Sequence, residues 1–388
     1  MVSLPDHLRP GRVALVHDWL TGMRGGERCL EVFAELLPKA PILTLLHEPG
    51  SVSPLLESRK VLTSPLSRVP FLRKRYRSLL PLFPWAAETL PGQDYDLIIS
   101  LSHCAAKAVP CRPGARHICY CFTPARYLWD HASIYLHPER SSLMVRLAAG
   151  AFLEELRSWD QNTAQQVDRF IAISGYVAQR IRRIYGRPAE VIYPPVDCAR
   201  FSLAPEEQVG DHYLMVTALA PYKGVDLAIQ AFNRWGRQLV IIGRGEEDRR
   251  LKAMAGSRIE FRGWLSDEQV AHEYARCRAF LLPCEEDFGI TPLEAMASGR
   301  PVIALGKGGA RETVVPLTSG KGSTGVLFAE PTVDSLIAAM EELEDNLSSW
   351  NPKHALARAR EFDLPRFREQ IRAVLLEEGV AAGFETAP

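Results

Sequence analysis

Short apolar runs alternate with segments of helical spacing along almost the whole chain. Arg12–His17 (RVALVH) reads as a first buried strand and Asp18–Gly26 (DWLTGMRGG) as a glycine-bearing loop. Glu27–Leu37 reads as a helix with Leu30, Phe33, Ala34 and Leu37 on one face. Further strands are predicted at Ile42–His47, Asp96–Leu101, His117–Cys121, Arg169–Ser174 and Glu190–Tyr193, with helices at Leu143–Gln166 and Tyr176–Tyr185. Tyr193–Asp197 (YPPVD) breaks the pattern as a linker, which the polar stretch Ala204–Gly210 extends. The alternation then restarts, with strands at Tyr213–Ala218, Gln238–Ile242, Ile259–Arg262, Ala279–Leu282, Val302–Leu305 and Val326–Phe328. Helices fit Val225–Trp235, Glu246–Met254, Asp267–Cys277 and Val333–Glu344, and a final amphipathic segment, Pro365–Glu377, can pack on either half. This order predicts two doubly wound, Rossmann-like α/β domains, one over 1–198 and one over 199–364. A ligand of such a pair belongs at the strand carboxyl ends, facing the cleft between the domains.

One stretch stands out against this background. Pro283–Pro301 (PCEEDFGITPLEAMASGRP) lies between two apolar strands and carries Glu286 and Glu294 eight residues apart. Gly289 permits close backbone approach, and Pro292 sits where a first helical turn tolerates it. A strand, a glycine loop and a helix N-terminus form an anion site, because free N–H groups and the helix dipole point at the ligand. The flanking acids suit sugar hydroxyls instead, so the stretch suggests a ligand with both phosphate and sugar.

Composition narrows the classes. The 388 residues allow two domains with real cores, and 47% hydrophobic with 24% charged residues is ordinary for a globular enzyme. Lys+Arg and Asp+Glu are both 46, which argues against a nucleic-acid partner. Eight scattered cysteines form no CxxC pair, and Cys119 and Cys121 share one face of a strand, as buried reduced thiols would. The first residues lack an apolar signal core and no run reaches membrane-spanning length, so the expected location is cytoplasmic.

Other candidates follow from position. Lys223, in ALAPYKG between a strand and a helix, is either a solvated loop lysine or a point charge for a diphosphate. Arg244, in Gly243-Arg244-Gly245, has similar placement. His103 lies at a strand end, placed to bond a sugar, to act on a proton, or to be a satisfied structural histidine. Asp94-Tyr95-Asp96 imitates a DxD metal motif but follows Pro91-Gly92, so a turn is expected and no metal. Arg68–Trp85 (RVPFLRKRYRSLLPLFPW) interleaves basic and aromatic residues, as a segment lying on anionic lipid does and as an amphipathic helix packed on its own domain also does. No GxSxG elbow or similar nucleophile setting is present.

EDFGITPLEAMASGRPVIA resembles the signature of family 4 retaining glycosyltransferases, which have the GT-B fold of two Rossmann-like domains. Gly25-Gly26-Glu27-Arg28 resembles the glycine loop after the family's first strand. Tyr120–Asp130 (YCFTPARYLWD), VIYPPVD and PYKGVDLAIQAF are similar to the bacterial O-antigen and exopolysaccharide mannosyltransferase-like branch. The resemblance covers most of the chain. It implies that Glu286 meets hydroxyls of the donor sugar and that backbone at Gly289, Ile290 and Thr291 holds the diphosphate. Glu294 would bind the ribose, Lys223 would stabilise the departing diphosphate with help from Arg244, and backbone around Arg262, Gly263, Trp264 and Leu265 would read the base. Gly25 and Gly26 would approach the phosphates, and residues 365–388 would return to the N-terminal domain.

Two positions depart from the family. Ala218 stands where an arginine often precedes the lysine, and Phe122 stands where a histidine often lies near the reacting sugar; His103 is expected to compensate for the latter. The implied function is transfer of a hexose, with GDP-mannose the first donor, to a lipid-linked glycan. No cofactor is expected beyond this nucleotide-sugar co-substrate, and peripheral contact with the inner face of the plasma membrane would run through 68–85. The alternatives are a GT-B nucleotide-sugar epimerase and a catalytically weak binding partner in a polysaccharide complex.

Overall fold

A computed structural model of the chain describes residues 12–68, 81–130, 143–320 and 322–380. The chain divides into two compact units, Met1–Tyr193 with Arg368–Pro388, and Pro194–Phe367. Each is built on one parallel sheet, so the doubly wound α/β expectation holds in both.

The first unit contains β1 (Val13–Leu20), β2 (Ile42–His47), β3 (Val61–Thr63), β4 (Leu97–Ser102), β5 (Arg116–Cys121), β6 (Arg169–Ala172) and β7 (Glu190–Val191), in the order β3-β2-β1-β4-β5-β6-β7. β1 is the hub: Val16 pairs with Leu43 on one side and with Ser100 on the other. Ala14 through Leu20 are all buried, as expected of a central strand covered on both faces. Ala14, Val16, Trp19, Leu43, Leu45 and Ile98 belong to one hydrophobic core cluster of this unit.

Two expectations fail here. β1 does not stop at His17 but continues through Leu20, and the helix begins at Gly25 rather than Glu27, so Gly25 and Gly26 are its first turn. Asp18 stays within the strand because its carboxylate is fully buried and satisfied by backbone N–H groups instead of by solvent, and the helix start is fixed by Glu27, which accepts the Arg24 N–H at 3.1 Å. β3 was not anticipated, because three residues with partial exposure carry no periodic signal.

The second unit contains β8 (Tyr213–Val216), β9 (Leu239–Ile242), β10 (Ile259–Gly263), β11 (Ala279–Leu282), β12 (Val302–Leu305) and β13 (Gly325–Phe328), in the order β10-β9-β8-β11-β12-β13. Leu214 of β8 pairs with Val240 and with Phe280. Helix Val225–Trp235 buries Val225, Ala228, Ile229, Ala231 and Phe232, a stripe at helical spacing, and ends on Gly236 with φ 77°. Helix Val333–Asn346 buries Leu336, Ile337, Ala339, Met340 and Leu343 into the same core. The final helix, Leu364–Glu377, starts in the second unit and continues into the first, where the adjoining Glu378 pairs with Arg116.

Gly92–Asp94 forms the turn expected around the DxD imitation, and Asp96 is buried in an ion pair with Arg112. All eight cysteines are free thiols, six of them buried. Most of the basic, aromatic segment expected at the membrane lies outside the described residues. Of its end, Phe83 is buried while Leu82 and Trp85 are exposed. Among the described residues no helix is long and apolar enough to cross a membrane.

Candidate functional site

In both sheets the strand order reverses beside the first strand of the unit, between β1 and β4 and between β8 and β11. The carboxyl ends flanking such a switch point are where open α/β sheets bind ligands. Charged pairs occupy both places.

In the second unit the pair is Lys223 and Glu286. Lys223 ends a short turn, Pro221–Lys223, after β8, and Glu286 lies in the loop after β11. Lys223 Nζ and Glu286 Oε1 form an ion pair, with the side chains 19% and 23% exposed. Burial works to lower the Lys223 pKa, but the Glu286 carboxylate, with smaller contributions from Cys284 and Tyr222, holds it above the ordinary lysine value. Cys284 Sγ lies 3.8 Å from Glu286 Oε1.

Glycines bring these loops together. Gly224 has φ 64°, and a Cβ there would collide with the Pro283 carbonyl oxygen, so the Lys223 turn and the β11 loop can meet only without a side chain at 224. Gly308 (φ 63°) and Gly309, after β12, pack in the same way on the backbone of Glu286 and Phe288, and Gly309 N–H donates to Glu286 O at 2.8 Å. This second glycine pair was missed in the sequence, although it follows an apolar strand as the others do.

Three residues beyond Glu286, Gly289 (φ 86°) opens helix Ile290–Ala297 with no side-chain cap and no acid in the first turn. Gly289, Ile290 and Thr291 are half-buried, and Pro292 is buried behind them. A helix N-terminus without a side-chain cap has the chemistry to take an anion. One turn on, Glu294 Oε2 accepts a hydrogen bond from the Tyr274 hydroxyl at 2.9 Å, and Tyr274 is fully buried. Tyr274 orients Glu294, a role its place in the sequence gave no sign of.

Around β9 and β10 the predicted residues divide. Gly243 and Gly245 let the strand ends of β8 and β9 touch through backbone: a Cβ at either would strike the Thr217 or Leu219 carbonyl. Arg244 is exposed, and its guanidinium lies over Gly263 (φ 66°). The Arg262 side chain, at the end of β10, is engaged with Glu260 at 2.9 Å and with Glu273. Trp264 is 70% exposed and Leu265 half-buried. A cleft of about 480 Å³ beside the Lys223 turn is lined by Tyr222, Gly224, Pro283, Cys284 and Leu305, among others, and by neither Lys223 nor Glu286.

In the first unit the pair is Asp18, on β1, and His103, just after β4. Asp18 Oδ2 lies 3.0 Å from His103 Nδ1. Gly26 packs against His17 Nε2 and the Phe122 ring, at 3.3 and 3.4 Å from where its Cβ would be, so any side chain there would crowd both. Lys223, Glu286, Arg244, Gly263 and Glu294 thus belong to one unit, and His103, Gly25 and Gly26 to the other. Among the described residues no group of three or more His, Cys, Asp or Glu is arranged to hold a metal ion.

The family models agree with this division. Residues 23–200 match the model described as Glycosyltransferase Family 4, and residues 205–359 match that of Glycosyl transferases group 1. A GDP-mannose-dependent alpha-(1-6)-phosphatidylinositol monomannoside mannosyltransferase of Mycolicibacterium smegmatis is 30% identical over 201 residues, 44% of this chain and 51% of that protein. The O-antigen chain mannosyltransferase C of Escherichia coli is 30% identical over 175 residues, 43% of this chain and 44% of that one. The chain spans about half the length of the curated relatives it matches. The crystal structure of Anabaena HepE in complex with UDP superimposes with a TM-score of 0.69, covering 94% of this chain and 100% of that one, at 21% identity. The fold is therefore GT-B, and the chain, matched by both domain models of these enzymes, belongs to the family 4, group 1 glycosyltransferases.

Proposed function

We propose that the chain transfers a hexose, with retention of configuration and without a metal cofactor, from GDP-mannose to a lipid-linked glycan. The observation that carries this reading is the Lys223–Glu286 pair, followed within three residues by the uncapped helix N-terminus at Gly289. Lys223 and the N–H groups of Ile290 and Thr291 face a departing diphosphate with fixed positive charge, in a partly dry site where it acts strongly. Glu286 accepts hydroxyls of the donor hexose and gives up part of its hold on Lys223 when the diphosphate arrives. Glu294, braced by Tyr274, takes the ribose hydroxyls. Backbone of Arg262–Leu265 reads the base, with Arg244 beside it.

None of these side chains is a placed nucleophile. Transfer then runs on one face of the sugar: the bond to the diphosphate breaks as the acceptor oxygen bonds to the anomeric carbon, and the leaving diphosphate oxygen takes the acceptor's proton. Mannose and GDP rest on the names of the relatives, as does a lipid-linked acceptor, since one relative is named for a phosphatidylinositol mannoside and another for O-antigen chains. Contact with anionic lipid through 68–85 fits such an acceptor, and Leu82 and Trp85 are exposed at the end of that segment.

The test is incubation with GDP-mannose and, in parallel, UDP-sugars, with a lipid-linked oligosaccharide fraction as acceptor. Release of GDP matched by mannose incorporation is expected. Conversion of the donor into another nucleotide sugar without release of nucleotide would overturn transfer, and exclusive use of a UDP-sugar would overturn the donor.

A further inference from the structure

Asp18, at the switch point of the first unit, is held by four backbone N–H groups and one side chain. Its Oδ1 accepts the N–H groups of Ala105 (2.6 Å) and Ala106 (2.7 Å), and its Oδ2 those of His103 (2.7 Å) and Cys104 (3.0 Å). The same Oδ2 takes His103 Nδ1–H at 3.0 Å. A fully buried carboxylate, with about four acceptor sites, thereby takes five contacts, four of them folding one loop at the end of β4. The fifth contact goes to the one side chain of that loop that reaches outward: His103 is one-third exposed. Trp19 stands edge-on to its ring, with centroids 4.4 Å apart, and the Phe122 ring lies 6.2 Å away. With Nδ1 committed to Asp18, Nε2 is the nitrogen left for a ligand.

The charges around His103 limit what that ligand is. Asp18 and His17 face it from β1, Arg24 precedes helix Gly25–Leu36, and Glu27 is buried in the helix's first turn. Burial keeps His17 neutral, with Nδ1–H donating to Trp19 O at 3.0 Å. For His103, burial works to lower the pKa, but Asp18, and to a lesser degree Glu27, hold it above the ordinary histidine value. Two acids, Arg24 and a protonated His103 sum to zero charge, a setting for a neutral oxygen rather than a phosphate. A protonated imidazole bonded through Nδ1 presents Nε2–H as a donor.

Resting on the reading of the chain as a glycosyltransferase, we propose that Asp18 is a positioning residue that holds His103 with Nε2–H directed at a sugar hydroxyl of the substrate. The bond serves transfer only while the imidazole carries both protons, so activity falls on the alkaline side as His103 deprotonates. Donor hexose and acceptor glycan both carry such hydroxyls, and the kinetics separate them.

The experiment measures kcat and both KM values against pH for wild type, His103→Ala and Asp18→Asn, with His103 titration followed by NMR of imidazole-labelled protein. Wild type is expected to show an alkaline limb that coincides with the His103 titration. His103→Ala keeps all four amide bonds of Asp18 and is expected to lose the limb, with kcat/KM about ten- to a hundredfold lower, the loss of one hydrogen bond to a charged group. A rise in donor KM assigns the hydroxyl to the hexose, and a rise in acceptor KM to the glycan. In Asp18→Asn, limb and titration both move to lower pH, a shift that a merely structural aspartate would not cause. The inference is overturned if His103→Ala keeps the limb and turns over within twofold of wild type, or if folded Asp18→Asn titrates His103 unchanged. Should Asp18→Asn not fold, His103→Ala decides alone. Absence of any transfer by wild type would count against the glycosyltransferase reading instead, and the titrations would still test the Asp18–His103 coupling.

Discussion

The two units place an ion pair at the same point of the same topology, with the charges exchanged. In the first unit the acid, Asp18, is on the hub strand and the base, His103, follows its switch-point neighbour; in the second, Lys223 follows the hub strand and Glu286 the neighbour. The difference lies in what else holds each pair. Asp18 is fully buried and tied to four backbone N–H groups as well as to His103, so one carboxylate holds both the loop and the ring. Lys223 and Glu286 are both partly exposed, on loops held by glycine contacts. That is the pair proposed to open for a ligand. One topology therefore holds a buried, amide-bound acid in one unit and a partly exposed ion pair in the other.

The strongest way to break the comparison is Lys223→Ala. One electrostatic contact in a dry site is worth about 3 kcal/mol, so turnover should fall by about two orders of magnitude. Near-normal kcat would remove Lys223 from the chemistry. Gly224→Ala tests the glycine support: with φ 64° and the Pro283 carbonyl in the way, a methyl group must move the loop, at a cost of about 2 kcal/mol or more. Denaturant unfolding would show it, and an unchanged midpoint would contradict the close approach.

How much of this could be read from the chain differs between the pairs for a physical reason. Lys223 and Glu286 are visible because each sits in a polar loop directly after an apolar run, where a parallel strand must end near a ligand. Asp18 follows an apolar run too, but it is read as the start of a loop. Its partners, His103 to Ala106, are more than 80 residues away, and no local pattern records that their amides converge on it. Tyr274 is hidden likewise, since its helical spacing accounts for burial and says nothing of its hydroxyl. Both sheets were legible from the alternation alone, apart from three-residue β3, which is too short to show a period.

The pH dependence of stability sharpens the contrast. Burial would raise the Asp18 pKa, but His103 and the amides hold it at about 2, so Asp18 stabilises the fold above the usual carboxylate range and that contribution is lost as pH falls toward 2. Its size is about 2 kcal/mol. His103, with a raised pKa, stabilises below the ordinary histidine value and loses its contribution as pH rises through the folded-state value. Melting temperatures against pH should therefore sag at both ends in wild type, and His103→Ala should flatten the alkaline side. A smaller effect is expected of Tyr274→Phe: losing one hydrogen bond to Glu294 is worth about 1 kcal/mol, or about fivefold in nucleotide affinity, with kcat little changed. Unaltered affinity would separate Glu294 from the ribose.

The most direct measurement is calorimetric titration of GDP into wild type, Glu294→Ala and His103→Ala. The proposed function puts the nucleotide on the second unit, and the proposed role of His103 is to bond a sugar hydroxyl. Wild type and His103→Ala should therefore bind GDP alike, and Glu294→Ala at least about tenfold more weakly, the loss of about 1.4 kcal/mol. Binding that His103→Ala abolishes and Glu294→Ala leaves intact would place the nucleotide on the first unit and contradict the account.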